Sequence, residues 1–179
     1  RVYWKVRIWD EKENVSEWSD EAFFEAGLLN KTDWEAEWIC ASERAAAIYF
    51  RKVCNIEKQP KTGRLYISGL GYYEAYLNGK KCGEDVLTPN RTHYVDLTPY
   101  CTAYDKYIQY QTYDITKELK VGKNNIDVML GNGWYNQKDK INEKKLWYGY
   151  PKLLFQIEIE YEDGDKDVFI SDENTKWHE

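Results

Sequence analysis

Polar and apolar positions alternate along much of this chain with the two-residue period of strands. Residues 156–161 read Gln-Ile-Glu-Ile-Glu-Tyr, which puts Ile157, Ile159 and Tyr161 on one face and the acids on the other. Glu162-Asp163-Gly164-Asp165 then turns the chain, and Asp167-Val168-Phe169-Ile170 can return beside the first strand, with Asp-Gly supplying the positive φ of a primed turn. Leu65-Tyr66-Ile67 and Tyr73-Glu74-Ala75-Tyr76-Leu77 predict two further strands, the second running into the hairpin signal Asn78-Gly79. Ile126-Asp127-Val128-Met129-Leu130 predicts another, and residues 2–9 read as one continuous strand. Helical signals are confined to residues 116–120, where Thr116 is placed to cap a single turn before Gly122. Connector chemistry at residues 27–33 places a domain boundary near Asn30.

The composition strengthens the β reading. Sixteen Tyr, eight Trp and many Val and Ile suit pleated, half-buried surfaces. A chain of 179 residues can bury about 70% of its unfolded surface in one core, without disulfide staples. The net charge of −6 and pI near 5.1 argue against a sequence-independent grip on phosphate backbones, so nucleic acid is not an expected partner. Apolar stretches such as residues 45–49 fall far short of the roughly 20 residues a membrane helix needs. Cys40, Cys54, Cys82 and Cys101 lack Cys-x-x-Cys spacing, so four free thiols are expected rather than a zinc ribbon or redox pair. Starting at Arg1 in what reads as mid-strand, the chain is expected to be a piece of a longer protein; the compartment, periplasmic, extracellular or cytoplasmic, stays open.

Most candidate chemistry has an ordinary explanation. His93 and His178 have no nucleophile elbow nearby and read as surface histidines, so neither a catalytic nor a metal role is assigned. Glu158 and Glu160 alternate outward and Glu162, Asp163 and Asp165 fill a turn, leaving no carboxylate pair poised across a glycosidic bond. Gly69-Leu70-Gly71 and Gly131-Asn132-Gly133 lack the following helix that a phosphate-cradling loop requires. A local repeat, Leu-Thr-Pro-x-x-Thr-x-Tyr at residues 87–94 and 97–104, reads as a lengthened surface loop. One set stands apart: Leu130-Gly131-Asn132-Gly133-Trp134-Tyr135 ends a strand in two glycines and an amide and then presents two aromatics. Rings that stack on pyranose C–H faces and amides that pair with hydroxyls suit a sugar, and Trp147-Tyr148-Gly149-Tyr150 could add a second wall. Capping of the core by Trp134 and Tyr135 accounts for the set equally well.

These motifs, in this order, resemble the N-terminal β-sandwich region of bacterial α-L-rhamnosidases. The resemblance runs through Val15-Ser16-Glu17-Trp18-Ser19, Asp33-Trp34-Glu35-Ala36-Glu37-Trp38-Ile39, Tyr49-Phe50-Arg51-Lys52, Gly69-Leu70-Gly71-Tyr72-Tyr73-Glu74-Ala75-Tyr76-Leu77-Asn78-Gly79, Tyr110-Gln111-Thr112-Tyr113-Asp114-Ile115-Thr116, Gly122-Lys123-Asn124-Asn125-Ile126 and the Gly-Asn-Gly-Trp-Tyr element. It implies an all-β fold: an antiparallel, jelly-roll-like β-sandwich of the galactose-binding-domain-like kind over residues 30–179, truncated at its C-terminal end. Residues 1–29 resemble the closing strands of a truncated fibronectin type III or immunoglobulin-like domain. The resemblance further implies a parent glycoside hydrolase that cleaves terminal α-L-rhamnosyl linkages by inversion on a C-terminal (α/α)6 barrel, which is the expected partner alongside rhamnose-containing glycans. On that reading this region is accessory, with no catalytic residue, metal or cofactor to carry over, and Asn132, Trp134, Tyr135, Trp147 and Tyr148 are its candidate sugar-facing residues. An autonomous carbohydrate-binding module, or the sugar-binding jelly-roll of a β-galactosidase-type hydrolase, is the alternative.

Overall fold

The structure is a computed structural model and describes residues 1–41, 47–89, 108–136 and 149–179. These divide into two compact units, Arg1–Trp34 and Glu35–Glu179.

In the first unit, β1 (Val2–Trp4) pairs antiparallel with β2 (Ala22–Phe24), bringing the rings of Tyr3 and Phe23 to 5.9 Å. The strand expected over residues 2–9 is interrupted. Beyond Trp4 the hydroxyls of Ser19 and Ser16 accept the amides of Val6 and Ile8, at 3.0 and 3.1 Å, and only an isolated bridge joins Trp9 to Val15. Side-chain oxygens have replaced part of the ladder, as short hydroxyls readily do. The Arg7 guanidinium lies 4.9 Å from the Trp9 ring and 4.7 Å from that of Trp18. At the end of this unit the Asp33 carboxylate accepts the amides of Leu29 and Asn30, which fixes a single 3-10 turn, Lys31–Asp33.

The second unit is a sandwich of two antiparallel sheets. Its strands are β3 (Ala47–Ile56), β4 (Pro60–Leu70), β5 (Tyr72–Leu77), β6 (Lys80–Lys81), β7 (Gln111–Asp114), β8 (Gly122–Gly131), β9 (Lys152–Tyr161), β10 (Lys166–Ile170) and β11 (Lys176–His178). One sheet has the order β10-β9-β4-β7 and the other β11-β3-β8-β5-β6. The inward positions read off the alternation: Ile48, Phe50, Cys54 and Ile56 of β3, Tyr73, Ala75 and Leu77 of β5, and Ile126, Val128 and Leu130 of β8. They meet Leu65 and Ile67 of β4 and Leu153, Phe155, Ile157, Ile159 and Tyr161 of β9 in one continuous core.

Two hairpins show how local chemistry sets register. At β5–β6, Asn78 (φ 52) and Gly79 (φ 83) form the two-residue loop the dipeptide predicts, and Leu77 faces Lys80. At β9–β10 the strands and their antiparallel pairing match expectation, but the turn is one residue longer and the register shifts by one with it, so that Lys166 faces Glu160 rather than Tyr161. Gly164 donates to the Tyr161 carbonyl and Tyr161 to that of Asp165, with positive φ at Gly164 alone, so a three-residue loop with a bulge replaces the primed turn. The turn at residues 116–118 is a single one, as expected, with its capping roles exchanged. Asp114 accepts the Thr116 amide, while the Thr116 hydroxyl accepts the amide of Gly63 at 2.9 Å and ties the turn to β4.

Asn78 and Asn124 form a clasp behind the β5–β6 hairpin. The fully buried Asn124 amide donates to the carbonyls of Lys120 (2.7 Å) and Gly122 (3.0 Å), and its oxygen accepts from Lys120 N (3.1 Å) and Asn78 Nδ2 (2.8 Å). Asn78 in turn donates to the Glu118 carbonyl and accepts the Asn125 amide. Every polar atom of Asn124 is used, as burial demands.

Candidate functional site

The turn after β8 is shaped by close backbone approach. Gly131 closes the ladder with partners on both sides, Ala47 of β3 and Tyr72 of β5. Opposite it Gly71 holds φ +130, and a Cβ there would stand 2.2 Å from the Gly131 carbonyl oxygen. Only glycine meets both conditions. The chain then bends through Gly133 (φ +51), where a Cβ would lie 3.0 Å from the Tyr72 nitrogen. The turn therefore sits directly on the Gly71-Tyr72 peptide, the start of β5.

Beneath it the support is hydrogen-bonded. Tyr73 N donates to the Thr88 carbonyl at 2.8 Å, the Thr88 hydroxyl donates back to the Tyr73 carbonyl at 3.0 Å, and the Tyr73 hydroxyl donates to Gln111 Oε1 at 2.6 Å. Burial pushes the Tyr73 phenol above its ordinary pKa, with the neighbouring Tyr113 adding to the shift. Tyr113 donates to Asp85 at 3.2 Å. This cluster is a rigid footing on which the turn rests.

On the turn the candidate residues separate into two kinds. Asn132 is half-buried; its carbonyl accepts the Asn136 amide at 3.2 Å and its Oδ1 accepts Asn136 Nδ2 at 3.0 Å, leaving its own Nδ2 without a partner among the described residues. Trp134 is 42% exposed, whereas Tyr135 is 7% exposed, its hydroxyl 3.4 Å from where a Gly149 Cβ would be. Asn132 and Trp134 thus offer a donor and a ring face, and Tyr135 is a buried wall that brings residue 149 to the turn. Trp147, Tyr148, His93, Cys101 and the repeat beyond Pro89 lie outside the described residues. Tyr150, the last residue of the expected second wall, is 41% exposed.

A second feature went unread in the sequence. The outward residues of the five-stranded sheet line a groove of about 630 Å³ that includes Tyr49, Arg51, Tyr76, Asp127, Lys176 and His178. Its signal was present in the outward half of each alternation, which the search for core residues passes over. His178, read as a plain surface histidine, stacks on Tyr49 with centroids 5.2 Å apart and planes 11° from parallel. Among the described residues no group of three or more metal-ligating side chains converges, and no helix is long and apolar enough to cross a membrane.

The fold and turn define a class: an antiparallel β-sandwich with aromatic and amide groups on the loop that follows one of its strands, preceded in the chain by a small β-strand unit. Comparison with known families makes this specific. Residues 58–179 match the α-L-rhamnosidase N-terminal domain, and residues 1–30 match the Rha78A-like N-terminal immunoglobulin domain. The chain belongs to the α-L-rhamnosidase N-terminal domain family, which makes it an accessory segment of that kind of protein. A curated α-L-rhamnosidase of Formosa agariphila is 35% identical over 98% of this chain and 21% of its own length. The solved α-L-rhamnosidases of Dictyoglumus thermophilum and Aspergillus terreus both superpose with a TM-score of 0.81, at 37% and 30% identity, covering 98% and 97% of this chain and 20% of each of theirs. The chain therefore spans about a fifth of the length of the relatives it matches. The match favours the rhamnosidase reading over the β-galactosidase-type alternative.

Proposed function

We propose that this chain is the non-catalytic accessory sandwich of an α-L-rhamnosidase-like glycoside hydrolase. It supports a catalytic (α/α)6 barrel located elsewhere in the parent protein, which hydrolyses terminal α-L-rhamnosyl linkages, and it lines one side of the substrate cleft. The observation that carries this reading is the family match over residues 58–179, in a chain that spans a fifth of its relatives' length.

Within that role, Asn132 and Trp134 are the proposed sugar-facing pair. A half-exposed indole beside an unused amide donor matches the mixture of apolar wall and few polar groups that small-molecule sites use. Tyr135 supports them from below, and Trp147 and Tyr148 are proposed to extend the same surface. The domain boundary near Asn30 is proposed to separate the immunoglobulin-like strands from this sandwich.

Substitution of Trp134 by Ala in the full-length parent tests the assignment. Removing a stacking ring from a half-exposed site is expected to raise KM for rhamnosides several-fold, leaving kcat and the melting temperature unchanged. An unchanged KM would remove Trp134 from the site.

A further inference from the structure

Apart from the turn, the feature with the most chemistry is the outer face of the five-stranded sheet. Strand register arranges the outward side chains at its centre in two rows, with exposed Lys123 of β8, opposite Asn55, further along the same face. Lys176, Arg51, Asp127, Tyr76 and Lys81 stand opposite one another across β11, β3, β8, β5 and β6, and His178, Tyr49, Met129 and Glu74 form the next row. The second row holds the stacked Tyr49–His178 pair, whose Tyr49 is 43% exposed. The first row holds most of the charge.

That charge is unevenly neutralised. Arg51 pairs with Asp127, and Lys81 donates to Glu74 at 2.8 Å, while Tyr76 donates to the other Glu74 oxygen at 2.7 Å. Lys176 has no ion-pair partner among the described residues. On a chain with net charge −6, these two rows thus present three cations against two carboxylates, the spare one at the edge of an aromatic patch. At roughly 3.3 Å per residue, Lys176 stands about 7 Å along β11 from the ring pair, close to the width of one sugar residue. The groove of about 630 Å³ lies within the usual range for small-molecule sites.

We propose that this face is a second carbohydrate-binding surface, distinct from the turn at residues 132–135, and that the glycan it takes carries a carboxylate. The edges and faces of Tyr49, His178 and Tyr76 receive a pyranose ring, and Lys176 receives the carboxylate of a uronic acid in the same chain. A nucleic acid strand would also offer rings and negative charge, but it needs several cations along its backbone, and these two rows have one to spare.

The test uses the 179-residue chain with tetragalacturonate and its fully methyl-esterified form, which keeps the rings and removes the charge. Calorimetry is expected to give a dissociation constant of about 1 mM or tighter for the acid form and about fivefold weaker binding for the ester, the worth of one exposed charge pair. High salt and Lys176→Gln should each close that gap, and Tyr49→Ala should weaken both forms. If Tyr49→Ala lowers the melting temperature, His178→Ala on the edge strand carries the same test. Absence of binding, an acid preference that survives in Lys176→Gln, binding that is unchanged in Tyr49→Ala, or tighter binding of a single-stranded oligonucleotide would each overturn the proposal. Because the two sugar surfaces share no residue, failure here leaves the reading of the turn standing.

Discussion

Replacement of Asn124 by Asp changes one NH2 for one oxygen without changing shape, and the structure says what that should cost. Asn124 is fully buried, and its Nδ2 donates to the carbonyls of Lys120 at 2.7 Å and Gly122 at 3.0 Å. A carboxylate oxygen cannot donate, so the part-buried bonds to the carbonyls of exposed Lys120 and half-buried Gly122 would be lost and like partial charges would face each other. At the low end of about 1–3 kcal/mol for each unmet group, the loss should be about 2–3 kcal/mol at pH 7. The remaining oxygen still accepts from Lys120 N and Asn78 Nδ2, so the hairpin keeps part of its clasp. Protonation would restore one donor, so burial and the facing carbonyls should raise the new carboxyl's folded pKa above its unfolded value. The sign follows: the deficit is smallest below the unfolded pKa and grows as pH rises through the folded one. Urea unfolding of both proteins, followed by far-ultraviolet circular dichroism at pH 7 and pH 5, reads this directly. A loss under about 1 kcal/mol at pH 7, or a deficit that grows on acidification, would refute the reasoning.

Other perturbations have equally definite outcomes. Gly71→Ala places a methyl 2.2 Å from the Gly131 carbonyl at φ +130, so strain and overpacking together should cost about 3–5 kcal/mol and lower the melting temperature by about 10 °C. Gly79→Ala, with φ +83 and no atom within 4 Å of the new Cβ, should cost only about 1–2 kcal/mol, and equal losses at the two sites would contradict the close-approach argument. Among Cys40, Cys54 and Cys82, a thiol-specific dye should label exposed Cys40 promptly and the buried pair only on unfolding. Burial pushes the Cys54 thiol from 9.0 up to about 12 and the Cys82 thiol up to about 11. Their stabilising effect is therefore complete below pH 9 and lost as pH rises from there through the folded values, about 1 kcal/mol per thiol by pH 10. Cys54→Ala should flatten that alkaline slope, and an unchanged slope would rule the thiol out as its source.

The elements that were legible in the sequence are those with one dry face and one wet face. The second half of β9, residues 157–161, alternates cleanly, so the position of that strand and its partner β10 could be read, and Asn78-Gly79 encodes its own turn, so register could be read there as well. β4 was legible only over residues 65–67, because from Leu65 to Leu70 the strand is buried on both faces and residues 60–64 mix proline, lysine, threonine, glycine and arginine. Tyr66 packs edge-on against Tyr110 at 6.1 Å, and the Ser68 hydroxyl donates to the Gln109 carbonyl, so the second face shows no alternation. The first strand was overread because β propensity is silent about Ser16 and Ser19, whose hydroxyls take backbone amides from across the turn. At the candidate site, Asn132 and Trp134 were visible as residue types following a strand. The division of labour between an exposed Trp134 and a buried Tyr135 depends on Gly149, fourteen residues on, which no local pattern contains. The outer groove depends on register across β11, β3, β8, β5 and β6, and register between distant strands has no local signature.

The measurement that bears most directly on the central claim, a rhamnosidase-family sandwich that assists catalysis without performing it, is hydrolysis of an aryl α-L-rhamnoside by the isolated chain. At high protein concentration over a day, the phenol released should equal that in buffer alone. Release above buffer that rises in proportion to the concentration of this chain, and survives repurification, would contradict the claim.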